Sequence, residues 1–206
     1  MTLRIEEQDD RVVATLDRPE KRNAIDQEMI DALHRLCAML EETPRTLILT
    51  GSSGGGFAAL QISALLPDSI AVAFNAQTDI RNYKADGVFF YAQRFYVRAA
   101  WPRVWEQLEP PEMVEIGTWD RTLDDRVSAL QRYARPVSNR VYIVQNADEF
   151  HHADHFLPFV KVARAAGNDI VALTVHEGAK HVVPSGSLFR NTLKRVLRDE
   201  LVVGAV

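Results

Sequence analysis

Residues 46–60 read TLILTGSSGGGFAAL. TLILTG (46–51) is a short, continuously apolar run closed by glycine, the pattern of a strand buried on both faces. GSSGGGFAALQISALL then turns sharply into a helix that Pro67 ends. The junction Gly51-Ser52-Ser53-Gly54-Gly55 matches Gly-x-Ser-x-Gly in a strand–turn–helix context. Such a turn forces Ser53 into a strained backbone conformation, and side chains at 51 and 55 would meet the neighbouring strand and helix. Ser53 is expected to project at the carboxyl end of a sheet. The Gly54 amide, at the helix start, is placed to donate to a developing oxyanion. A Gly-rich turn of this kind also suits a phosphate, but this one lacks the lysine of a Walker loop.

Outward from this elbow, strand and helix alternate. SIAVAFNAQ (69–77), RVYIVQN (140–146) and DIVALTVHEG (169–178) read as strands, whereas 153–167 and 187–201 carry helical periodicity. That order calls for an α/β chain whose parallel sheet has helices on both faces. Residues 80–137 hold Trp101, Trp105, Trp119, Pro102, Pro110 and Pro111 in helical rather than strand patterns. They are expected to form a helical insert that caps the site with apolar side chains. On the amino-terminal side, 3–7 and 11–17 read as a β-hairpin. A polar loop, RPEKRNAID, follows, and then an amphipathic helix from Asp26 to Glu42 with Met29, Leu33, Leu36, Cys37 and Leu40 on one face. The expected organisation is a ββα segment over 1–45 and an α/β unit over 46–206 that shares its core.

A serine hydroxyl becomes a nucleophile through a base, and the base through an orienting acid. His181 lies in GAKHVVPS, after the last expected strand. Asp148 lies in QNADEFHHADHF, just past RVYIVQN. Both then fall at carboxyl ends of strands, the edge where Ser53 is expected and where open α/β sheets hold ligands. Asp79, after SIAVAFNAQ, is a rival acid in the same layer. His151 and His155 are four apart, and with Asp148 and Asp154 nearby they resemble part of a divalent-metal set. The sequence offers no convincing remaining ligand, so no metal is expected.

The 206 residues carry 24 Lys plus Arg and 28 Asp plus Glu, a net charge of −4, and 47% apolar residues. A globular chain fits this balance, and a nucleic-acid binder, which needs a basic footprint, does not. No apolar run approaches the roughly 20 residues that span a bilayer. MTLRIEEQDD lacks the apolar region of a signal peptide, so a cytoplasmic location without membrane contact is expected. Cys37 alone excludes an internal disulfide and a Cys-based zinc site.

From about Thr46 to Leu201 the chain resembles the carboxyl-terminal part of an α/β-hydrolase. GSSGGGFAAL, FNAQTDI, QNADEFHHADHFLPF and GAKHVVPS carry the likeness. It implies a serine hydrolase cleaving an ester, thioester or amide of a small acyl substrate without a cofactor. In that reading Ser53 is the nucleophile, Asp148 the acid, His181 the base and Gly54 one oxyanion donor. Residues 1–51 resemble instead the start of the crotonase (enoyl-CoA hydratase/isomerase) superfamily, through VATLDRPEKRNAIDQEMIDALHRLCAMLEETPRTLILTG. There the matching Lys21, Arg22, Asn23 and Ala24 would border a coenzyme A ester. The glycines and glutamates of hydratase chemistry have no counterpart after Phe57, so a non-catalytic fusion of two partial folds is the third reading. The usual hydrolase strands before the elbow are replaced by the hairpin and one helix. RVVATLD is the substitute strand, the loop 18–25 a source for a second oxyanion amide, and the exposed sheet edges invite self-association.

Overall fold

The computed structural model describes residues 3–16, 27–82, 84–85, 88–89 and 125–198. Its main sheet has six strands: β1 (Leu3–Glu7), β2 (Arg11–Leu16), β3 (Thr46–Ser52), β4 (Ile70–Phe74), β7 (Arg140–Asn146) and β8 (Asp169–Val175), side by side in that order. β1 and β2 form the expected antiparallel hairpin, and every later pairing is parallel. β2 is indeed the strand beside the elbow strand, with Leu16 opposite Gly51. The amino-terminal segment and the rest of the chain therefore contribute to one sheet.

Period-two alternation divides the core. Val12, Leu49, Ala71, Val141 and Ile170 point to one face, where α1 (Gln27–Glu42), α2 (Gly54–Ser63) and α4 (Leu157–Ala165) cover them. Val13, Ile48, Val72, Tyr142 and Val171 point to the other, covered by α5 (Gly186–Leu197) through Leu188, Phe189, Leu193 and Val196. Helices thus lie on both faces. α2 is buried almost all round, which is why its sequence is apolar rather than amphipathic.

Two expectations need correcting. β4 stops at Phe74, short of Gln77, because Asn75 turns to φ 43°. Asparagine tolerates that left-handed conformation better than most side chains. The segment 80–137 is not wholly helical either. Its described parts are a 3₁₀ turn (Ile80–Asn82), an antiparallel ribbon of β5 (Lys84–Ala85) and β6 (Val88–Phe89), and a second 3₁₀ turn (Asp125–Val127) leading into the short α3 (Ala129–Arg132). The three tryptophans fall outside the described residues.

Candidate active site

Ser53 sits between β3 and α2 with φ 53° and ψ −121°, a strained conformation for a residue with a Cβ. Two contacts hold it there. Its amide donates to the Phe74 carbonyl at 2.9 Å, and its carbonyl accepts from the Phe57 amide at 3.1 Å. The glycines around it are required by space: a Cβ on Gly51 would lie 2.6 Å from the Gly55 carbonyl carbon, and one on Gly56 2.8 Å from the Ala76 Cβ. Gly54 opens α2, so its amide belongs to the first helical turn, whose N–H groups have no carbonyl four residues back.

His181 Nε2 lies 3.0 Å from Ser53 Oγ. Its other ring nitrogen, Nδ1, is 2.7 Å from Glu149 Oε2. The acid on the histidine is therefore Glu149 and not Asp148, which corrects the sequence-based assignment by one position. The turn after β7 explains the difference. Asn146 Oδ1 accepts from the Asp148 amide at 3.2 Å and from the Glu177 amide at 3.0 Å, which rotates the two neighbouring acids apart. Asp148 faces outward, taking the ring of exposed His176 at 2.8 Å and the Gly178 amide at 3.2 Å. Those bonds, the His176 one foremost, hold its carboxyl below the usual range. Glu149 faces inward with a fully buried side chain. The rival acid Asp79 is occupied elsewhere: it accepts from the Arg81 amide and guanidinium and from Ser128 Oγ at 2.8 Å, tying β4's exit to α3. The coenzyme A loop candidates Lys21, Arg22, Asn23 and Ala24 lie outside the described residues.

Further side chains complete the arrangement without any signal in the sequence. Gln77, only 3% exposed, donates from Nε2 to Ser53 Oγ at 2.7 Å. The oxygen that faces His181 thus also accepts an amide hydrogen, which leaves the hydroxyl proton free to point at Nε2. Two buried asparagines fix the histidine loop. Asn75 Nδ2 donates to the Val182 carbonyl at 3.1 Å while its Oδ1 accepts from the Asn146 amide at 2.8 Å. Asn146 Nδ2 donates to the Gly178 carbonyl at 2.6 Å. Gln145 Nε2 donates to Glu149 Oε1 at 2.6 Å.

His151 is fully buried beside this chain, with Nδ1 3.5 Å from Glu149 Oε1 and its ring centroid 4.3 Å from that of His181. Burial foremost, with the neighbouring His181, pushes its pKa down despite Glu149. Burial pulls Glu149 the other way, upward. The hydrogen bonds from His151 and His181, with their charges, outweigh it and hold the carboxyl at about 2. His155, four residues on from it, is committed to Thr78: its Nδ1 accepts the Thr78 amide at 3.2 Å.

These shifts set an expected acid response. His151 has a folded pKa below its ordinary 6.5, so the unfolded chain takes up the proton first and stability falls as pH drops below about 6.5. Glu149, lowered from 4.5 to about 2, contributes stability fully present above about 4.5 and lost as pH falls toward 2. Urea unfolding at pH 7.5, 6 and 5 is the check. A His151→Gln variant should show a flatter decline between pH 6.5 and 5, and an unchanged decline would exclude His151 as its source.

The chain has structural counterparts among known proteins. Its structure is similar to that of Pyrococcus horikoshii acylaminoacyl peptidase, with a TM-score of 0.55 and 14% identity over 85% of this chain and 28% of that one. A protein from Staphylococcus aureus described as an esterase gives 0.57 and 14%, over 87% and 61%. The fold is α/β-hydrolase-like. Capsule O-acetyltransferase of Neisseria meningitidis serogroup A gives 0.54 and 14%, over 84% and 64%. The chain spans less than two thirds of the length of each of these proteins. No protein-family model and no curated protein matches it. The crotonase resemblance of the amino-terminal segment rests on its sequence alone. No helix among the described residues is long and apolar enough to cross a membrane.

Proposed function

We propose that the protein is a serine hydrolase that cleaves an ester, thioester or amide through an acyl-enzyme at Ser53. The observation that carries this reading is the continuous chain Ser53 Oγ–His181 Nε2 (3.0 Å) and His181 Nδ1–Glu149 Oε2 (2.7 Å), assembled from three strand ends. Ionised Glu149 accepts a hydrogen bond from Nδ1–H, so the Nε2 lone pair faces the hydroxyl. As Oγ attacks the acyl carbon, Nε2 takes its proton, and Glu149 stabilises the imidazolium that forms. The Gly54 amide donates to the carbonyl oxygen as charge gathers there. His181 then returns the proton to the leaving group. In the second half-reaction it deprotonates a water, whose oxygen attacks the acyl carbon and releases Ser53. The loop 18–25, which the sequence suggested as the source of a second oxyanion amide, lies outside the described residues.

A fluorophosphonate probe tests this reading, because it phosphonylates only a serine whose base is in place. The expected result is one adduct on Ser53, absent in Ser53→Ala. No adduct on folded wild-type protein would overturn the reading.

A second reading keeps the acyl-enzyme and changes its acceptor. The likeness to a capsule O-acetyltransferase, together with the RPEKRNAID loop, favours an alcohol as acceptor and a coenzyme A thioester as acyl donor. The two readings separate on whether added alcohols divert acyl groups from water. Binding of coenzyme A, followed by calorimetry, tests the donor.

A further inference from the structure

We infer that Glu149, His151 and His181 form an inhibitory site for a divalent zinc ion, which switches the nucleophile off by coordinating the back of its base. The site rests on side-chain geometry; its inhibitory consequence rests on the hydrolase reading. Each of the three residues offers a ligand atom, and these atoms all lie within 4.8 Å of one another. His181 Nδ1 is 2.7 Å from Glu149 Oε2, and His151 Nδ1 is 3.5 Å from Glu149 Oε1. Zinc binds imidazole nitrogen and carboxylate oxygen at roughly 2.0–2.2 Å, which places ligands of a tetrahedral site about 3.3 Å apart. The two measured separations bracket that value. The widest one closes with a shift of His181, the one member of the three with solvent exposure (26% of its side chain) and so the side from which an ion enters.

Donor chemistry selects the metal. Two imidazoles and one carboxylate, with a fourth position open to water, form a set that zinc accepts and that magnesium and calcium, which prefer all-oxygen cages, do not. One outer-shell contact is in place: Gln145 donates to Glu149 Oε1 at 2.6 Å. Sequence spacing pointed to His151 with His155 and left the set short of ligands. The fold instead supplies His181 from a loop thirty residues further on.

The inhibition follows from proton bookkeeping on one ring. Without metal, His181 carries its proton on Nδ1, and Nε2 is the acceptor facing Ser53. Zinc takes the Nδ1 lone pair of the other tautomer, so the ring's single proton moves from Nδ1 to Nε2 and the ring stays neutral. The nitrogen facing Ser53 then holds a hydrogen and cannot receive the hydroxyl proton.

Cobalt(II) substitutes for zinc and reports its coordination in visible absorption, a readout independent of activity. In the full chain, one equivalent of Co²⁺ should produce a ligand-field band that one equivalent of Zn²⁺ abolishes. Zinc should slow fluorophosphonate labelling of Ser53 by at least about 100-fold, the low end of what a general base contributes, and a chelator should restore it. Losing an outer-shell partner costs about 10- to 100-fold in metal affinity, so losing a ligand in His151→Gln should cost at least about 100-fold. His151→Leu, a second replacement at this buried position, should match it, with circular dichroism verifying the fold of both. Absence of the band in folded wild-type protein, an unaltered band in both His151 variants, or unchanged labelling at saturating zinc would each overturn the proposal. If metal-free protein takes no label, the hydrolase reading falls and the cobalt band alone decides whether the metal site stands.

Discussion

Replacing Glu149 by Gln is expected to lower turnover by about 10⁴-fold, the cost typical of amidating the acid of such a triad. The same change one residue earlier, Asp148→Asn, should leave turnover within about twofold, as befits a carboxylate engaged in an exposed ion pair. The contrast follows from what each carboxylate touches. Glu149 Oε2 accepts from His181 Nδ1 at 2.7 Å inside the protein, and Asp148 Oδ1 takes the ring of His176, whose side chain is 75% exposed. An amide at 149 offers a donor where the histidine needs an acceptor. It therefore favours the tautomer with hydrogen on Nε2, and that nitrogen can no longer receive the Ser53 proton. Steady-state hydrolysis of an activated ester by both variants reads the difference. Equal losses, or a larger loss at Asp148, would return the acid to the position that spacing suggested.

That one-residue error shows what spacing can and cannot resolve. A strand followed by Asn-Ala-Asp-Glu places an acid at the rim of the sheet whichever carboxylate is used. The choice between them depends on the rotation of one turn. Asn146 sets that rotation with its side-chain oxygen, which gathers the amides of both Asp148 and Glu177. The second of those contacts joins two strand ends 31 residues apart, and no local pattern announces it. Asn75 is similar. Its left-handed backbone ends β4, and its side chain reaches Val182 in the histidine loop, a pairing 107 residues apart.

The fold was more legible because its signals are local. Continuous apolar runs marked β3, β4 and β7, which are buried on both faces, and helical periodicity marked α1 and the start of α5 to within a residue. The elbow was legible for a steric reason, since Gly51 has the Gly55 backbone where a Cβ would stand. The aromatic insert falls mostly outside the described residues, and the short β5–β6 ribbon is the described part of it that helical spacing did not announce. Spacing grouped His151 with His155, and the fold adds Glu149 and His181 beside it. Four-residue spacing finds neighbours on one helix, whereas its contacts to Glu149 and His181 come from a turn and a distant loop.

Gln77 carries the second large effect. Its amide donates to the same oxygen that faces His181, at 2.7 Å, from a position 3% exposed where little water competes. With one lone pair so engaged, the hydroxyl has a single productive direction for its hydrogen, toward Nε2. As Nε2 draws that proton away, the oxygen gains negative character and the bond becomes charge-assisted, worth about 1.5–3 kcal/mol. Gln77→Leu keeps the volume and deletes the donor, so kcat should fall by about 10- to 100-fold with KM little changed. Gln77→Glu should fall further, because a carboxylate there competes with His181 for the serine proton and repels the charge that forms on Oγ. The fold should survive the leucine substitution, since the apolar side chain leaves no buried amide without a partner and Ser53 keeps His181. Matched stability with a lowered kcat is therefore the expected pair of measurements. An unchanged kcat in Gln77→Leu would show that the hydroxyl finds His181 without help and would remove Gln77 from the machinery.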